Sequence, residues 1–152
     1  MIIVKDIMTT ALYTLKATDS IDMARQLMAE HAVRHIPIVD DQGHLVGLVS
    51  QRDVLAASLS MLANINEAER QAFNTSTPLQ TIMTRGPSVV AETMSLREAA
   101  LFMQNHKYGC LPVVRQGQLI GIITDSDFVA VAINLLEQLE LVEPMDEDFD
   151  AD

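Results

Sequence analysis

Cysteine, tryptophan and long apolar runs are scarce or missing in this chain, and each absence excludes a class of protein. Cys110 is the only cysteine among 152 residues, which excludes an internal disulfide and favours a reducing compartment. Tryptophan is absent and aromatic residues make up 4%, too few for a platform that stacks single-stranded nucleic acid. No apolar run approaches the ~18 residues of a membrane helix, and Lys5 and Asp6 come too early for a signal sequence. We therefore expect a soluble cytoplasmic protein with no membrane partner.

Basic residues are also few, and the surplus of acid lies at one end. The formal net charge is −11, with 10 Lys and Arg against 21 Asp and Glu. Eight of those acids and no base lie from Glu137 onwards, so we interpret 137–152 as an acidic, solvated C-terminal tail. The remainder is nearly balanced, with thirteen acids and ten bases. It offers no broad basic surface for DNA or RNA, although it has enough bases for one local pocket.

The chain contains one phrase twice, as GLVSQRD at 47–53 and as GIITDSD at 121–127. Both belong to a longer repeat. Displaced by 75 positions, residues 5–39 match the second copy at ten of 35 positions, and displaced by 74, residues 42–56 match at six of 15. Because Gly, Pro and Asp keep their order in both copies, we interpret the sequence as a duplication of a unit of about 50 residues.

Each copy has the same succession of periodic patterns. A serine, Ser20 or Ser95, precedes apolar residues spaced for one face of a helix. Two apolar runs across a glycine-bearing turn then predict a β-hairpin, and a second helical pattern follows over 54–62 or 128–141. Each copy is therefore a short strand, a helix, a hairpin and a helix, which is a mixed α+β (α/β) fold. One unit buries too little apolar surface alone, so we expect the two copies to pack together.

The domain boundaries follow from the repeat. Residues 1–57 and 78–136 are the two units, and residues 58–77 between them predict an extended helix and a polar linker. We interpret this segment as a connector, with a lid or a dimer contact as the alternative. The Met- and Leu-rich helix faces of 55–62 and 129–136 need to be covered, so we expect a homodimer.

A hydroxyl residue and an aspartate stand three apart where the second hairpin strand ends: Ser50 and Asp53, then Thr124 and Asp127. This spacing is typical of a helix N-cap, in which the side chains only satisfy free amides. The start of a helix after a strand is also where small ligands bind, and a carboxylate there accepts hydrogen bonds from the vicinal hydroxyls of a ribose. Recurrence at matched positions favours the ligand, although a duplication also copies caps. Both phrases contain a glycine that permits close backbone approach: Gly47 and Gly121.

Together these motifs resemble the cystathionine β-synthase (CBS) domain pair, also called a Bateman module. The similarity covers Val4 to about Leu135, and its marks are DIMTT and TIMTR, HIPIVD and CLPVVR, and the two repeated phrases. The resemblance implies two pseudo-symmetric β-α-β-β-α units around a pseudo-two-fold axis. It implies clefts between them that bind adenosine-containing ligands such as AMP, ADP, ATP or S-adenosylmethionine, and a disc-shaped dimer.

The resemblance also implies the cleft residues, because each cleft combines the hydroxyl and aspartate of one copy with entrance residues of the other. One cleft is expected to hold Thr124 and Asp127 with Thr9, Thr10, Leu12, Arg34 and His35. The other is expected to hold Ser50 and Asp53 with Thr84, Arg85, Pro87, Gly109 and Cys110.

The two clefts are not expected to be equal. We interpret Arg34 as a phosphate fork and His35 as a second donor, with a solvated surface arginine as the alternative for Arg34. Gly109 and Cys110 occupy the matching positions without charge, and Cys110 is typical of a small buried apolar residue rather than a nucleophile. The cleft with Asp127 is therefore expected to be the stronger phosphate site, with Arg85 as the alternative cation near the other cleft.

We expect a regulatory module that senses its ligand, is not an enzyme, has no cofactor or metal, and signals to an unknown effector protein. The sequence has no P-loop, no paired Cys/His metal spacing and no nucleophile elbow. The alternative is a structural dimerisation module whose clefts bind nothing. Which adenosine ligand binds, and whether one or both clefts fill, stay open.

Overall fold

The computed structural model describes residues 1–60 and 66–142, and it has the mixed helix and sheet architecture predicted from the repeat. The helices are α1 (Val4–Ile7), α2 (Ile21–His31), α3 (Gln51–Ser60), α4 (Glu67–Ser76), α5 (Leu96–His106) and α6 (Asp125–Val142). The strands are β1 (His35–Val39), β2 (Leu45–Ser50), β3 (Thr84–Arg85), β4 (Cys110–Arg115) and β5 (Gln118–Thr124).

The helices α2 and α5 occupy matching places in the two repeats and begin in the same way. The Ser20 hydroxyl accepts from the backbone N–H of Met23, and the Ser95 hydroxyl accepts from that of Glu98, each at 3.1 Å. Each hydroxyl thus satisfies one amide that the helix itself leaves unpaired. The predicted starts of both helices are confirmed.

The two hairpins also share one register. In the first, β1 pairs with β2 so that His35 lies opposite Ser50; in the second, β4 pairs with β5 so that Cys110 lies opposite Thr124. A bulge interrupts both hairpins at the same repeat position. Each hydroxyl residue therefore ends a strand directly beside the residue that opens the neighbouring strand.

The first segment of each repeat pairs with the hairpin of the other repeat. Thr9 donates its backbone N–H to the Ile122 carbonyl at 2.8 Å and accepts from the Ile122 N–H at 3.0 Å. In the same way β3 adds to β2, with Thr84 opposite Leu48. The two repeats are therefore joined by exchanged strand segments rather than by a contact of finished surfaces.

The hydrophobic cores show the same exchange. Val4, fully buried, belongs to the core of the second repeat, with Leu111 and Ile123. Leu79, also fully buried, belongs to the core of the first repeat, with Ile36. Since a buried aliphatic side chain contributes about 1.5–3 kcal/mol, neither repeat has its complete core without the other.

Gly47 and Gly121 stand where the exchanged segments cross the hairpins. A Cβ atom at Gly121 would lie 2.5 Å from the Met8 sulfur and 3.2 Å from the Thr9 carbonyl oxygen. At Gly47 it would lie 2.5 Å from the Met83 sulfur. The close backbone approach that these glycines permit is therefore that of the other repeat.

The segment between the repeats, predicted as an extended helix and a polar linker, contains residues of two helices among its described residues. α3 includes Ser60, residues 61–65 lie outside the described part, and α4 begins anew after Asn66, whose side chain accepts from the Glu69 N–H at 2.8 Å. α4 packs against α2, and Phe73 contacts the first core. At the other end α6 includes 137–142, and the rest of the predicted tail lies outside the described residues. No helix that the structure describes is long and apolar enough to cross a membrane.

Candidate functional site

Two clefts open where the repeats meet. The small cleft has a volume of about 280 Å³ and is lined by the hydroxyl and aspartate of the second repeat opposite entrance residues of the first, among them Thr9 and Leu12. The large cleft has a volume of about 590 Å³ and is lined by Ser50 and Asp53 opposite Thr84. Pockets for small molecules measure roughly 300–1,000 Å³, so the large cleft falls within this range and the small one just below it.

In the large cleft, Ser50 and Asp53 connect the end of β2 to the start of α3. The Ser50 N–H donates to Asp53 Oδ2 at 2.8 Å, and the Asp53 N–H donates to the Ser50 hydroxyl at 3.1 Å. This reciprocal pair is a capping box. Asp53 Oδ1 receives no hydrogen bond from any residue that the structure describes, so one carboxylate oxygen is available as an acceptor within the cleft.

In the small cleft the corresponding residues, Thr124 and Asp127, make a different set of hydrogen bonds, and Asp127 also bonds to the other repeat. The Thr124 N–H donates to Asp127 Oδ2 at 2.8 Å, and the Thr124 hydroxyl lies 3.3 Å from the same oxygen. The Thr9 hydroxyl donates to Asp127 Oδ1 at 3.2 Å. A ribose that uses Asp127 must therefore take the place of the Thr9 hydroxyl or share Oδ1 with it.

A wall of charged and polar side chains separates the clefts. Arg34, His35 and Asp125 line both of them. Arg34 Nη2 lies 3.4 Å from Asp125 Oδ1, and the side chains are 59% and 53% exposed. Backbone hydrogen bonds place this wall at the junction, since the Gln51 N–H donates to the Arg34 carbonyl at 2.8 Å and the Asp125 N–H to the Gly109 carbonyl at 3.1 Å.

The profile of the CBS domain family matches this chain twice, over residues 4–60 and 79–134. The chain belongs to the CBS domain family. Its two CBS units are arranged as in solved CBS-pair structures, so the predicted Bateman-module fold is confirmed.

Three solved structures show the similarity in detail. The AcuB protein of Vibrio cholerae is 46% identical, with a TM-score of 0.78 over 92% of this chain and 98% of that one. CBSX2 of Arabidopsis thaliana, solved in complex with AMP, is 32% identical, with a TM-score of 0.75 over 90% and 99%. The CBS pair of protein MJ0100, in complex with 5-methylthioadenosine and S-adenosylmethionine, is 26% identical, with a TM-score of 0.72 over 88% and 97%.

Curated relatives place CBS pairs in proteins of very different length. A CBS domain-containing protein of Dictyostelium discoideum is 29% identical over 137 residues, which is 90% of this chain and 94% of the relative. The homoserine O-acetyltransferase of Methanosarcina acetivorans is also 29% identical, over 131 residues, but the match spans only 22% of that enzyme. CBS pairs thus form most of some proteins and a minor part of certain enzymes.

The cations of this CBS pair are distributed differently from the prediction. Arg34 and His35 line both clefts rather than the small one alone. The large cleft also contains Arg52 and Lys107. The large cleft is therefore the more basic of the two, and the premise that only the small cleft has these side chains is wrong. The strength of each cleft as a phosphate site stays a prediction.

The fold brings most of the predicted site residues to the clefts. Thr9, Leu12, Thr124 and Asp127 line the small cleft; Ser50, Asp53, Thr84, Gly109 and Cys110 line the large one. Three predicted residues, Thr10, Arg85 and Pro87, are not among the lining residues of either cleft, and the Arg85 guanidinium lies 3.5 Å from the Gln80 carbonyl. Their role in binding, like that of the others, stays a prediction.

Among the cleft-lining residues that sequence reasoning missed are two tyrosines and an aspartate. Tyr13 lines the small cleft, Tyr108 lines the large one, and Asp125 lines both. Asp125 occupies the repeat position of Gln51, so comparison of the two phrases showed it as merely variable. The available signal was the change from amide to carboxylate at this position.

Burial sets the ionisation of two side chains at the CBS junction. It lowers the pKa of His35, against the opposing attraction of Asp125, so at neutral pH the ring is uncharged and supplies one N–H donor. Burial, followed by the negative charges of Asp125 and Asp127, raises the pKa of Cys110 to about 12. Cys110 is therefore a protonated thiol, 5% exposed, in the wall of the large cleft. Among the described residues, no three His, Cys, Asp or Glu side chains are grouped to hold a metal ion.

Proposed function

We propose that this CBS pair is a regulatory module that binds an adenosine-containing ligand in the clefts between its units and signals the occupancy to a partner protein. The observation that carries the proposal is the repeated hydroxyl and aspartate pair, which the fold places in both clefts. A carboxylate at a helix start accepts hydrogen bonds from two vicinal hydroxyls, as a ribose presents them. The complexes of CBSX2 with AMP and of MJ0100 with 5-methylthioadenosine and S-adenosylmethionine support this choice of ligand class.

The large cleft is our candidate for a phosphorylated ligand. It combines Arg34, Arg52 and Lys107 with an acceptor on Asp53. Guanidinium groups bind phosphate through two parallel hydrogen bonds, and an ammonium adds a point charge. A nucleotide with its ribose at Asp53 and its phosphate toward these three basic side chains has a binding partner for both groups.

Signalling follows from the way the units interlock. Each cleft has walls from both repeats, and each repeat completes the core of the other. A ligand that bonds across the junction therefore favours one relative arrangement of the two units over others. An effector protein, or a second copy of the chain, binds one arrangement more tightly than the others and so responds to the ligand.

Calorimetry tests the proposal. The protein is titrated with adenosine, AMP, ADP, ATP and S-adenosylmethionine, and the titrations are repeated with Asp53→Asn and Asp127→Asn. Asparagine retains an oxygen for the cap and removes the carboxylate. We expect heat with at least one ligand and a weaker response in at least one variant; no heat with any ligand contradicts the proposal.

A structural dimerisation module is the second candidate. Both aspartates already serve as helix caps, so their recurrence can be explained without a ligand, and α6 has no buried residue among its eighteen. Under this alternative the titrations give no heat and the protein still forms a homodimer. A ligand that binds and depends on the aspartates excludes it.

A further inference from the structure

The charged pair at the cleft wall exists on only one side of the pseudo-two-fold axis. Arg34 corresponds in the repeat to Gly109, and Asp125 corresponds to Gln51. The pair Arg34–Asp125 is therefore matched across the axis by a glycine and a glutamine, which carry no charge. One arginine therefore stands between two clefts that the pseudo-two-fold axis relates to each other.

The two clefts depend on this arginine to different degrees. In the small cleft Arg34 is the one Lys or Arg among the lining residues, and it is accompanied by two carboxylates, Asp125 and Asp127. In the large cleft Arg52 and Lys107 are present as well. Without Arg34 the charged side chains of the small cleft are all carboxylates, beside an uncharged His35, whereas the large cleft still has the two cations Arg52 and Lys107.

The guanidinium group of Arg34 has one positive charge for both clefts. A phosphate that makes a bidentate contact with it neutralises that charge and leaves less attraction for an anion in the other cleft. Its present partner, Asp125, holds it weakly, because both side chains of this ion pair are more than half exposed and solvent screens their attraction. A phosphate bound in either cleft therefore readily replaces Asp125 as the partner of Arg34.

We propose that Arg34 couples the two clefts through the charge of the ligand. An adenosine ligand with a phosphate, bound in the large cleft, pairs with Arg34. The small cleft then has two carboxylates and no positively charged side chain to offset them. The small cleft then binds a second anionic ligand more weakly, while its affinity for an uncharged nucleoside is unchanged. By linkage, an anion bound in the small cleft lowers the affinity of the large cleft for its anionic ligand by the same factor. This inference rests on the proposed function and names the ligand property that decides whether both clefts fill.

A site-resolved NMR titration tests the coupling. The backbone amides of Thr84, which lines only the large cleft, and of Thr9, which lines only the small one, report the occupancy of each with AMP. The affinity of the small cleft is measured in the natural sequence and in two variants that hinder AMP in the large cleft. These are Asp53→Asn, which weakens the ribose contact, and Arg52→Glu, which reverses an exposed charge of the large cleft alone. We expect the small cleft to bind AMP about tenfold more tightly in both variants.

Two controls identify Arg34 as the cause. With Arg34→Gln the small cleft has the same AMP affinity whether or not the large cleft is hindered, and with adenosine as ligand no variant shows the effect. Equal small-cleft affinity for AMP in the natural sequence and both variants overturns the proposal, as does a difference that persists in Arg34→Gln. If neither adenosine nor AMP shifts either amide, the proposed function fails too; if both shift them without coupling, only the present inference fails.

Discussion

The Asp127 carboxylate accepts from three donors in the folded chain, one of them the Thr124 hydroxyl, and, in the proposed function, from the hydroxyls of a ribose. The other two donors of the folded chain are the Thr124 N–H and the Thr9 hydroxyl. A substitution that removes the whole side chain therefore disturbs folding and binding together. Asparagine separates the two roles, because its single oxygen still accepts from the Thr124 amide.

We predict that Asp127→Ala lowers stability by about 0.5–2 kcal/mol, the usual loss of a cap, and also weakens adenosine binding in the small cleft. Asp127→Asn is expected to keep most of the stability and still lose roughly 1.5–3 kcal/mol of binding, or tenfold to hundredfold in affinity. Thermal unfolding and site-resolved titration measure the two effects. If the asparagine variant binds like the natural protein, Asp127 is a cap and nothing more.

His35 gives a prediction about pH. Its pKa in the folded protein is lowered from the usual 6.5, first of all by burial. Above that value the ring is neutral in both states; as the pH falls below it, the unfolded chain takes up a proton more readily than the folded one, so stability falls. We expect His35→Gln to lose less stability than the natural protein between about pH 7.5 and about pH 5.5. Urea unfolding at both pH values checks this, and equal losses in the two proteins would contradict it.

At the scale of elements, the crossing of the exchanged segments over the hairpins leaves no space for a side chain at Gly121. We predict that Gly121→Ala destabilises the protein by about 1–3 kcal/mol, the range for an overpacked site, because its Cβ meets Met8 and the Thr9 carbonyl. Adding Met8→Ala removes the nearer of the two clashes. The double variant is therefore expected to lose less stability than the sum of the single variants, as measured by urea unfolding. Strict additivity would show that the Met8 contact is not the cause.

The sequence predicts the elements well because their signals are local. Ser20 and Ser95 mark helix starts that the structure has, and the glycine-bearing turns mark both hairpins. The pairing of Thr9 with Ile122 joins residues more than a hundred positions apart, and no periodicity within a segment encodes it. The same limit applies to the site: that Arg34 borders both clefts depends on how the units interlock, which the repeat alone does not specify.

At the scale of the whole molecule, α6 is a helix whose apolar side chains are exposed to solvent in the single chain. Val129, Ile133 and Leu136 recur at intervals of four and three residues, as on one face of a helix, and they are 58%, 52% and 58% exposed. A continuous apolar stripe of this kind is uncommon on a monomer and typical of an interface. We therefore keep the prediction of a homodimer, with the face of α6 as its centre.

The test of the homodimer is a charge placed within this stripe. Because Ile133 is half exposed in the single chain, Ile133→Lys costs the monomer little, but in a dimer it places an ammonium group in an apolar contact, where its desolvation is expensive. We expect the natural protein to be a dimer at micromolar concentration and Ile133→Lys to be a folded monomer, as measured by light scattering with circular dichroism. Gln138→Lys is the matched control, since it adds the same charge on the opposite side of α6 and leaves the dimer intact. A natural protein that is monomeric with and without nucleotide, or an Ile133→Lys variant that still pairs, means that this face of α6 is not the interface.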